Sequence, residues 1–247
     1  SEDTPFSEFD KDSRTLLATS HPDYPVTPGD QYILSFTQSL RQEEIVVVVE
    51  NDYTVNLTVF GSINARGYTF SELQARVMRT VEEAYPGSLP RMYIRSTGLF
   101  KVLLKGEVKR AREVNAWGLS RLEDIVAPHL TPYSSYRNVE VVDHSGNSTV
   151  YDLFLSSRFG KQEQNHYVSH GDTIIVHERG RQVTIEGEVK RPGTYQLLKD
   201  DDLDQVLHSY ASGYSPYADV HNIQITRNAG ENGTTQVFIV DDDSIQN

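Results

Sequence analysis

Val102-Leu-Leu-Lys-Gly-Glu-Val-Lys-Arg110 returns as Val183-Thr-Ile-Glu-Gly-Glu-Val-Lys-Arg191, with Gly106 and Gly187 standing 81 positions apart. Without a gap, the same offset places Leu122 on Leu203, Tyr133 on Tyr214, Ser134 on Ser215, Tyr136 on Tyr217 and Val139 on Val220. From Val102 to Val139, 11 of 38 columns are identical, against roughly two for unrelated segments. A period this long suits tandem domains and is too long for a solenoid.

Each copy has the same local grammar. An alternating strand ends in Gly-Glu-Val, and a turn and a short strand (Thr194 to Leu198 in the second copy) lead into a short helix. In the first copy Ser120 and Glu123 read as a capping box, with Leu122, Ile125 and Val126 inward and Pro128 at the end. In the second, Asp201 or Asp202 caps, Leu203, Val206 and Leu207 face inward, and Gly213 closes the helix. Strands follow at Val139 to Val142 and at Ile223 to Thr226. The first copy adds strands at Val150 to Leu155 and Asp172 to Glu178, and the second ends on Gln236 to Val240. A small mixed sheet crossed by one helix is the expected, β-grasp-like topology.

Ahead of the repeat lies a different unit. Residues 1–22 are polar and aperiodic and read as an extended lead-in. Pro28-Gly29 marks a turn before a strand at Gln31 to Phe36. Glu44 to Glu50 reads as a buried β run, and Tyr53, Val55, Leu57 and Val59 alternate. Thr69 and Glu72 form a Thr-x-x-Glu capping box, after which Phe70, Leu73, Val77, Val81 and Ala84 share a helical face ended by Pro86-Gly87. Met92 to Arg95 closes the unit as a strand. The expected class is α+β, with a lead-in at 1–22, an N-terminal α/β domain at 23–98, and two repeat domains at 99–180 and 181–247.

The 247 residues carry a net charge of −12 and no cysteine. That charge repels phosphate backbones, so nucleic acid is not an expected partner. Without cysteine there is no disulfide frame, thiolate nucleophile or Cys-based zinc site. The longest apolar run, Ile45 to Val49, is strand-length, so no transmembrane helix is expected. The polar opening Ser1-Glu2-Asp3-Thr4-Pro5, without an initiator Met, reads as a mature or trimmed chain.

The segments Gly187-Glu-Val-Lys-Arg-Pro-Gly193-Thr-Tyr and Ala211-Ser-Gly213-Tyr-Ser-Pro-Tyr-Ala218-Asp219, with Tyr24-Pro-Val-Thr-Pro-Gly29-Asp30 and Gly61…Gly67-Tyr-Thr69, resemble the bacterial outer-membrane polysaccharide export proteins. The resemblance runs over roughly residues 24 to 247. It implies an N-terminal polysaccharide-export domain followed by two SLBB (soluble-ligand-binding β-grasp) domains. It also implies a non-catalytic, oligomerising or saccharide-binding scaffold for capsule or exopolysaccharide export, periplasmic or outer-membrane associated. Polysaccharide, further copies of the chain and an inner-membrane polysaccharide co-polymerase are the implied partners, and no cofactor is implied. The first copy departs from the pattern, with Ala111-Arg112 in place of Pro-Gly and Ala127-Pro-His-Leu-Thr in place of the Ala-x-Gly segment. A monomeric periplasmic ligand-binding module that regulates a partner is the alternative, and a glycan-active enzyme a further one.

The candidate motif residues are Gly106, Glu107, Lys109 and Arg110, and Gly187, Glu188, Lys190, Arg191, Pro192 and Gly193. Their charges suit a sugar or a neighbouring subunit through charge-assisted hydrogen bonds, or else a solvated strand end with glycine permitting close backbone approach. Pro192-Gly193 reads as a type II turn with φ > 0 at the glycine. Tyr133, Tyr136, Tyr195, Tyr210, Tyr214 and Tyr217 cluster around the repeat helices, where rings stack on sugars or fill half-buried sheet positions. Tyr214 and Tyr217 are the ones carried forward as ligand contacts, and Trp117 reads as packing. His166, His170 and His177 lie on a loop and strand and need not converge on a metal. Asp241-Asp242-Asp243 lacks EF-hand spacing and reads as a solvated acidic tail. Asn56, Asn147 and Asn232 are sequons that carry little meaning in a bacterial-looking chain. Walker, Gly-x-Gly-x-x-Gly, Gly-x-Ser-x-Gly and His-Glu-x-x-His signatures are absent, and no carboxylate pair stands out.

Overall fold

The computed structural model describes residues 10–229 and 234–245. Helix and strand are mixed, and the chain divides into one unit ending at Glu178 and another beginning at Arg179.

The first unit opens with helix α1 (Lys11–Ser20), capped by Asp10, whose Oδ1 accepts from Ser13 N at 2.7 Å. Residues 11–20 are therefore not the extended lead-in that their composition suggests; the lead-in reading of residues 1–9 lies outside the described residues. The apolar pattern of α1 gives no warning, because Leu16 is 72% exposed and only Ala18 is buried. Strand β1 (Gln31–Gln38) pairs antiparallel with β2 (Arg41–Val48) and with β5 (Arg91–Ser96). As an edge strand β2 buries only Val47 fully and leaves Val46 and Val48 exposed, so the run reads as buried only on one face. A hairpin of β3 (Thr54–Asn56) and β4 (Ser62–Asn64) follows. The residues at 58–60 coil into a 3-10 turn, which throws Val59 outward while Tyr53, Val55 and Leu57 stay buried. Helix α2 (Phe70–Ala84) starts on the expected capping box, with both Thr69–Glu72 bonds present. Its Leu73, Val77 and Val81 join Tyr32, Leu34, Val47, Met92, Ile94 and Trp117 in one core.

Asp30 is the anchor of that domain. Fully buried, it accepts from Tyr24 Oη, Tyr32 Oη, Thr27 N and Gly98 N at 2.6–2.9 Å. It thereby ties the start of β1 to the link that leads out of β5.

The first repeat copy contains β6 (Phe100–Gly106), β7 (Arg112–Ala116), α3 (Leu122–Val126), β8 (Ser134–Val142), β9 (Ser148–Tyr151), α4 (Leu153–Phe159) and β10 (Thr173–Glu178). Its sheet order is β7-β6-β10-β8-β9. The last strand in sequence lies in the middle, parallel to β6 and antiparallel to β8. Leu122, Ile125 and Val126 of α3 pack on Val102, Leu104, Val139, Ile174 and Val176. The capping box sits one residue later than expected: Asp124 Oδ2 accepts from Arg121 N, while Ser120 Oγ accepts from Trp117 N. The strand expected to run to Leu155 stops at Tyr151, because Asp152 caps α4 through Phe154 N and Leu155 N.

The second unit has a hairpin of β11 (Gln182–Ile185) and β12 (Gly193–Gln196), a π-helical turn at Gln205–Tyr210, a second hairpin of β13 (Ile223–Ala229) and β14 (Thr234–Val240), and a short α5 (Asp242–Ile245). The two hairpins are separate two-stranded sheets.

Burial pushes the Asp30 carboxyl up to about 6, against the four donors that favour its charge. The folded chain therefore holds this proton more tightly than the unfolded chain. The group's contribution to stability is complete below about pH 4 and is lost as pH rises through 6. Asp30→Asn cannot titrate, so the wild-type chain should gain stability over the variant as pH falls from 7 to 5, read from urea midpoints; an unchanged gap would refute the assignment.

Candidate functional site

The repeated Gly-Glu-Val segments build the same corner twice. Gly106 and Gly187 take left-handed backbone, φ +93° and +85°, and turn the chain out of β6 and β11. The next residues bridge to the segment after the helix, Val108 to Leu130 and Val189 to Tyr214. Lys109 N donates to His129 O and Lys190 N to Gly213 O, both at 2.9 Å.

These pairings correct the ungapped repeat alignment. The glycine motifs are 81 residues apart, but the bridging partners are 84 apart. The three extra residues fall where the first copy has α3 and a 3-10 turn at Ala127–His129 and the second has the wider π-helical turn, with Ala211 N bonded back to Val206 O at 2.8 Å. Tyr133 therefore corresponds to Tyr217 and not to Tyr214, and Thr131-Pro132-Tyr133 corresponds to Ser215-Pro216-Tyr217.

On that register the glutamates acquire a shared role. Thr131 Oγ1 donates to Glu107 Oε1 at 2.6 Å, and Ser215 Oγ donates to Glu188 Oε2 at 2.5 Å. The same hydroxyls accept from the backbone of the tyrosine two residues on, Tyr133 N at 3.1 Å and Tyr217 N at 3.3 Å. Each copy so holds a Thr/Ser-Pro-Tyr turn on a charge-assisted hydrogen bond and pushes its tyrosine into solvent, Tyr133 at 73% exposure and Tyr217 at 87%.

The remaining tyrosines have internal partners. Tyr136 donates to Glu123 and Tyr195 to Arg191 O. The Tyr210 hydroxyl donates to Asp201, and its ring is buried. Tyr214, carried forward from the sequence as a ligand contact, donates to Asp242 Oδ1 at 2.6 Å, and burial followed by that bond pushes its phenol above its ordinary range. Tyr217 alone of that pair is presented outward.

Around this clamp the structure joins residues that the sequence did not connect. The His208 ring lies 2.8 Å from Asp204 and 3.4 Å from Asp242, edge-on to Tyr214. Asp241 caps the last turn through Ser244. The acidic run is thus not a solvated tail: Asp241 caps α5 and Asp242 ties it to the helical turn.

Lys109 Nζ donates to Pro128 O, and Arg191 N to Ala211 O. Arg110, Lys190 and Arg191 are exposed. Pro192-Gly193 is not the expected type II turn. Gly193 has φ +157°, close to extended, and opens β12 opposite Ile185. Arg112 holds the matching place opposite Leu104, which explains why the first copy keeps the same corner without Pro-Gly. Trp117 is buried with Tyr24.

The histidines go to separate partners, His166 stacked on Tyr151, His170 edge-on to Phe100, and His177 Nε2 at 2.8 Å from Glu140. Among the described residues, no three His, Asp or Glu side chains gather as a metal site, and no helix is long and apolar enough to cross a membrane. Asn232 lies outside the described residues.

A Cβ on Gly106 would stand 2.2 Å from Val176 O, whereas one on Gly187 would meet nothing within 4 Å. Gly187→Ala should therefore cost only its backbone strain, about 1–2 kcal/mol. Gly106→Ala should cost more, because β10 must also shift. Hydrogen exchange of β11 and of β10 in the two variants checks this; equal losses would contradict it.

Comparison with protein-family models and with curated proteins finds no match for this chain.

Proposed function

We propose that the chain is a non-catalytic scaffold of bacterial polysaccharide export, in the periplasm or at the outer membrane, with an N-terminal export domain and two β-grasp (SLBB) domains. The observation that carries this reading is the corner repeated in both copies. An exposed tyrosine ring on a hydrogen-bonded turn is costly to hold in water and adds nothing to either core. It offers instead a pre-ordered apolar face with a hydroxyl, the chemistry that stacks on a sugar ring or packs against a neighbouring subunit. The sheet order β7-β6-β10-β8-β9, with α3 packed on the sheet, supports the β-grasp reading of the first copy. The pairing of Glu107 with Thr131 and of Glu188 with Ser215 supports a common origin for the second.

The corner has no reaction centre. Glu107 and Glu188 each have a hydroxyl donor from their own turn and serve to position a surface. Lys109, Arg110, Lys190 and Arg191 follow the glutamates closely in sequence and supply cations in an otherwise acidic chain, suited to sugar hydroxyls or to a carboxylate on the next subunit.

Two measurements test the reading. Titration with neutral bacterial exopolysaccharide fragments should shift the resonances of Tyr133 and Tyr217. The paired Tyr133→Ala and Tyr217→Ala substitutions should weaken binding at least tenfold without lowering the unfolding midpoint, since both rings are exposed. Light scattering at high concentration should give discrete oligomers, as closed symmetric contacts require. A strictly monomeric chain with unmoved tyrosines overturns the proposal.

A further inference from the structure

Both copies build the same corner, but the first arms it with two more basic side chains. Arg112 stands opposite Leu104 where Gly193 stands opposite Ile185. The carbonyl of His129 accepts from Lys109 N where that of Gly213 accepts from Lys190 N. At each place the second copy has a glycine and the first has a basic residue, while the backbone bonds are kept. The departure from Pro-Gly at Ala111-Arg112 therefore adds a charge to an unchanged frame.

These groups gather around one opening. A cleft of about 360 Å³ is lined by Arg110, Ala111, Arg112 and Glu113, and both of its arginines are exposed. Lys109 Nζ donates to Pro128 O at 3.0 Å, next to His129. Burial, and then the charges of Arg112 and Lys109, push the His129 imidazole below its ordinary value. The carboxylates of the same segment are taken elsewhere: Glu113 pairs with Lys101 at 2.8 Å, and Glu107 accepts from Thr131 Oγ1 at 2.6 Å. Among the described residues, no ion pair joins Lys109, Arg110 or Arg112 to an acid. Three like charges repel one another and add nothing to the core beneath, so the fold alone gives no reason for them.

We propose that this cleft is an anion-binding site of the first copy, taking a carboxylate or a phosphate ester carried on an acidic sugar polymer. Two guanidinium forks grip such oxygens in bidentate fashion, and Lys109 adds a point charge. The net charge of −12 repels an acidic polymer from the rest of the surface, so contact is confined to this grip. The second copy lacks the Arg112 and His129 side chains at the matching places. The choice of a sugar polymer rests on the export reading, whereas the anion site itself does not.

The test is an NMR titration of the full chain with a short oligogalacturonate, with glucose 6-phosphate, and with a neutral maltooligosaccharide as control. At least one acidic probe should shift the Arg110 and Arg112 side-chain resonances and raise the titration midpoint of His129, because a bound anion favours the imidazolium. Which probe does so tells carboxylate from phosphate ester. Arg110→Gln combined with Arg112→Gln should weaken that binding about tenfold or more, with the unfolding midpoint unchanged. Arg91→Gln combined with Arg95→Gln removes the same charge from another exposed place and should leave the binding as it was. The export reading is tested apart from this, by neutral fragments at Tyr133 and Tyr217, so either can fail alone. No response at Arg110 and Arg112 to both acidic probes, an equal response to the neutral sugar, or equal weakening by the Arg91 and Arg95 pair would each overturn the proposal.

Discussion

The parallel pairing of β6 with β10 decides how the first repeat copy is built. A strand buried in mid-sheet must satisfy both rows of backbone groups, since an unpaired buried N–H or C=O costs as much as a lost hydrogen bond. β10 meets that demand with β6 on one side and β8 on the other. The condition for it is Gly106, the one residue type that takes the left-handed turn freely and leaves room for the Val176 carbonyl. Once β10 is seated, α3 has an unbroken apolar floor and the copy closes its own core.

Among the described residues the second copy has the two hairpins and the helical turn as separate pieces. Its hairpins form, because hairpins are local. Its core stays thin: among the described residues Ile185, Val206, Leu207, Tyr210 and Ala211 are its buried apolar side chains, while Val237, Phe238 and Ile239 on β14 are exposed. The clamp of Tyr214, Asp242, His208 and Asp204 holds the end of the second hairpin to the helical turn from outside the sheet.

The glutamate of the motif takes neither of its two sequence readings in pure form. It is no free ligand-binding charge, since a threonine or serine hydroxyl of its own turn donates to it. It is no mere solvated strand end either, since that bond fixes the turn on which a tyrosine stands exposed. A structural bond here serves a surface, and it was hidden by a three-residue slip. An ungapped comparison pairs Tyr133 with Tyr214, a ring bonded to Asp242, and so conceals the likeness of Thr131-Pro132-Tyr133 to Ser215-Pro216-Tyr217. Three residues inserted at a helical turn leave no mark on the motifs either side, which is why only the bridging partners reveal them.

The sequence by itself determined the elements whose signals are local. The Thr69–Glu72 cap, the inward faces of α2 and α3, the strands on either side of each Gly-Glu-Val and the existence of the repeat all follow from period, capping chemistry and glycine. Tertiary structure alone decided the helix at Lys11–Ser20, which has no apolar stripe to announce it, and the edge position of β2, which exposes half of a valine run. It also decided the place of Gly193 within a strand, and the hub at Asp30, whose four donors come from Tyr24, Thr27, Tyr32 and Gly98. The physical reason is common to these cases. Propensity acts between residues a few positions apart, whereas burial, strand order and the partner of a buried carboxylate depend on segments brought together only by the fold.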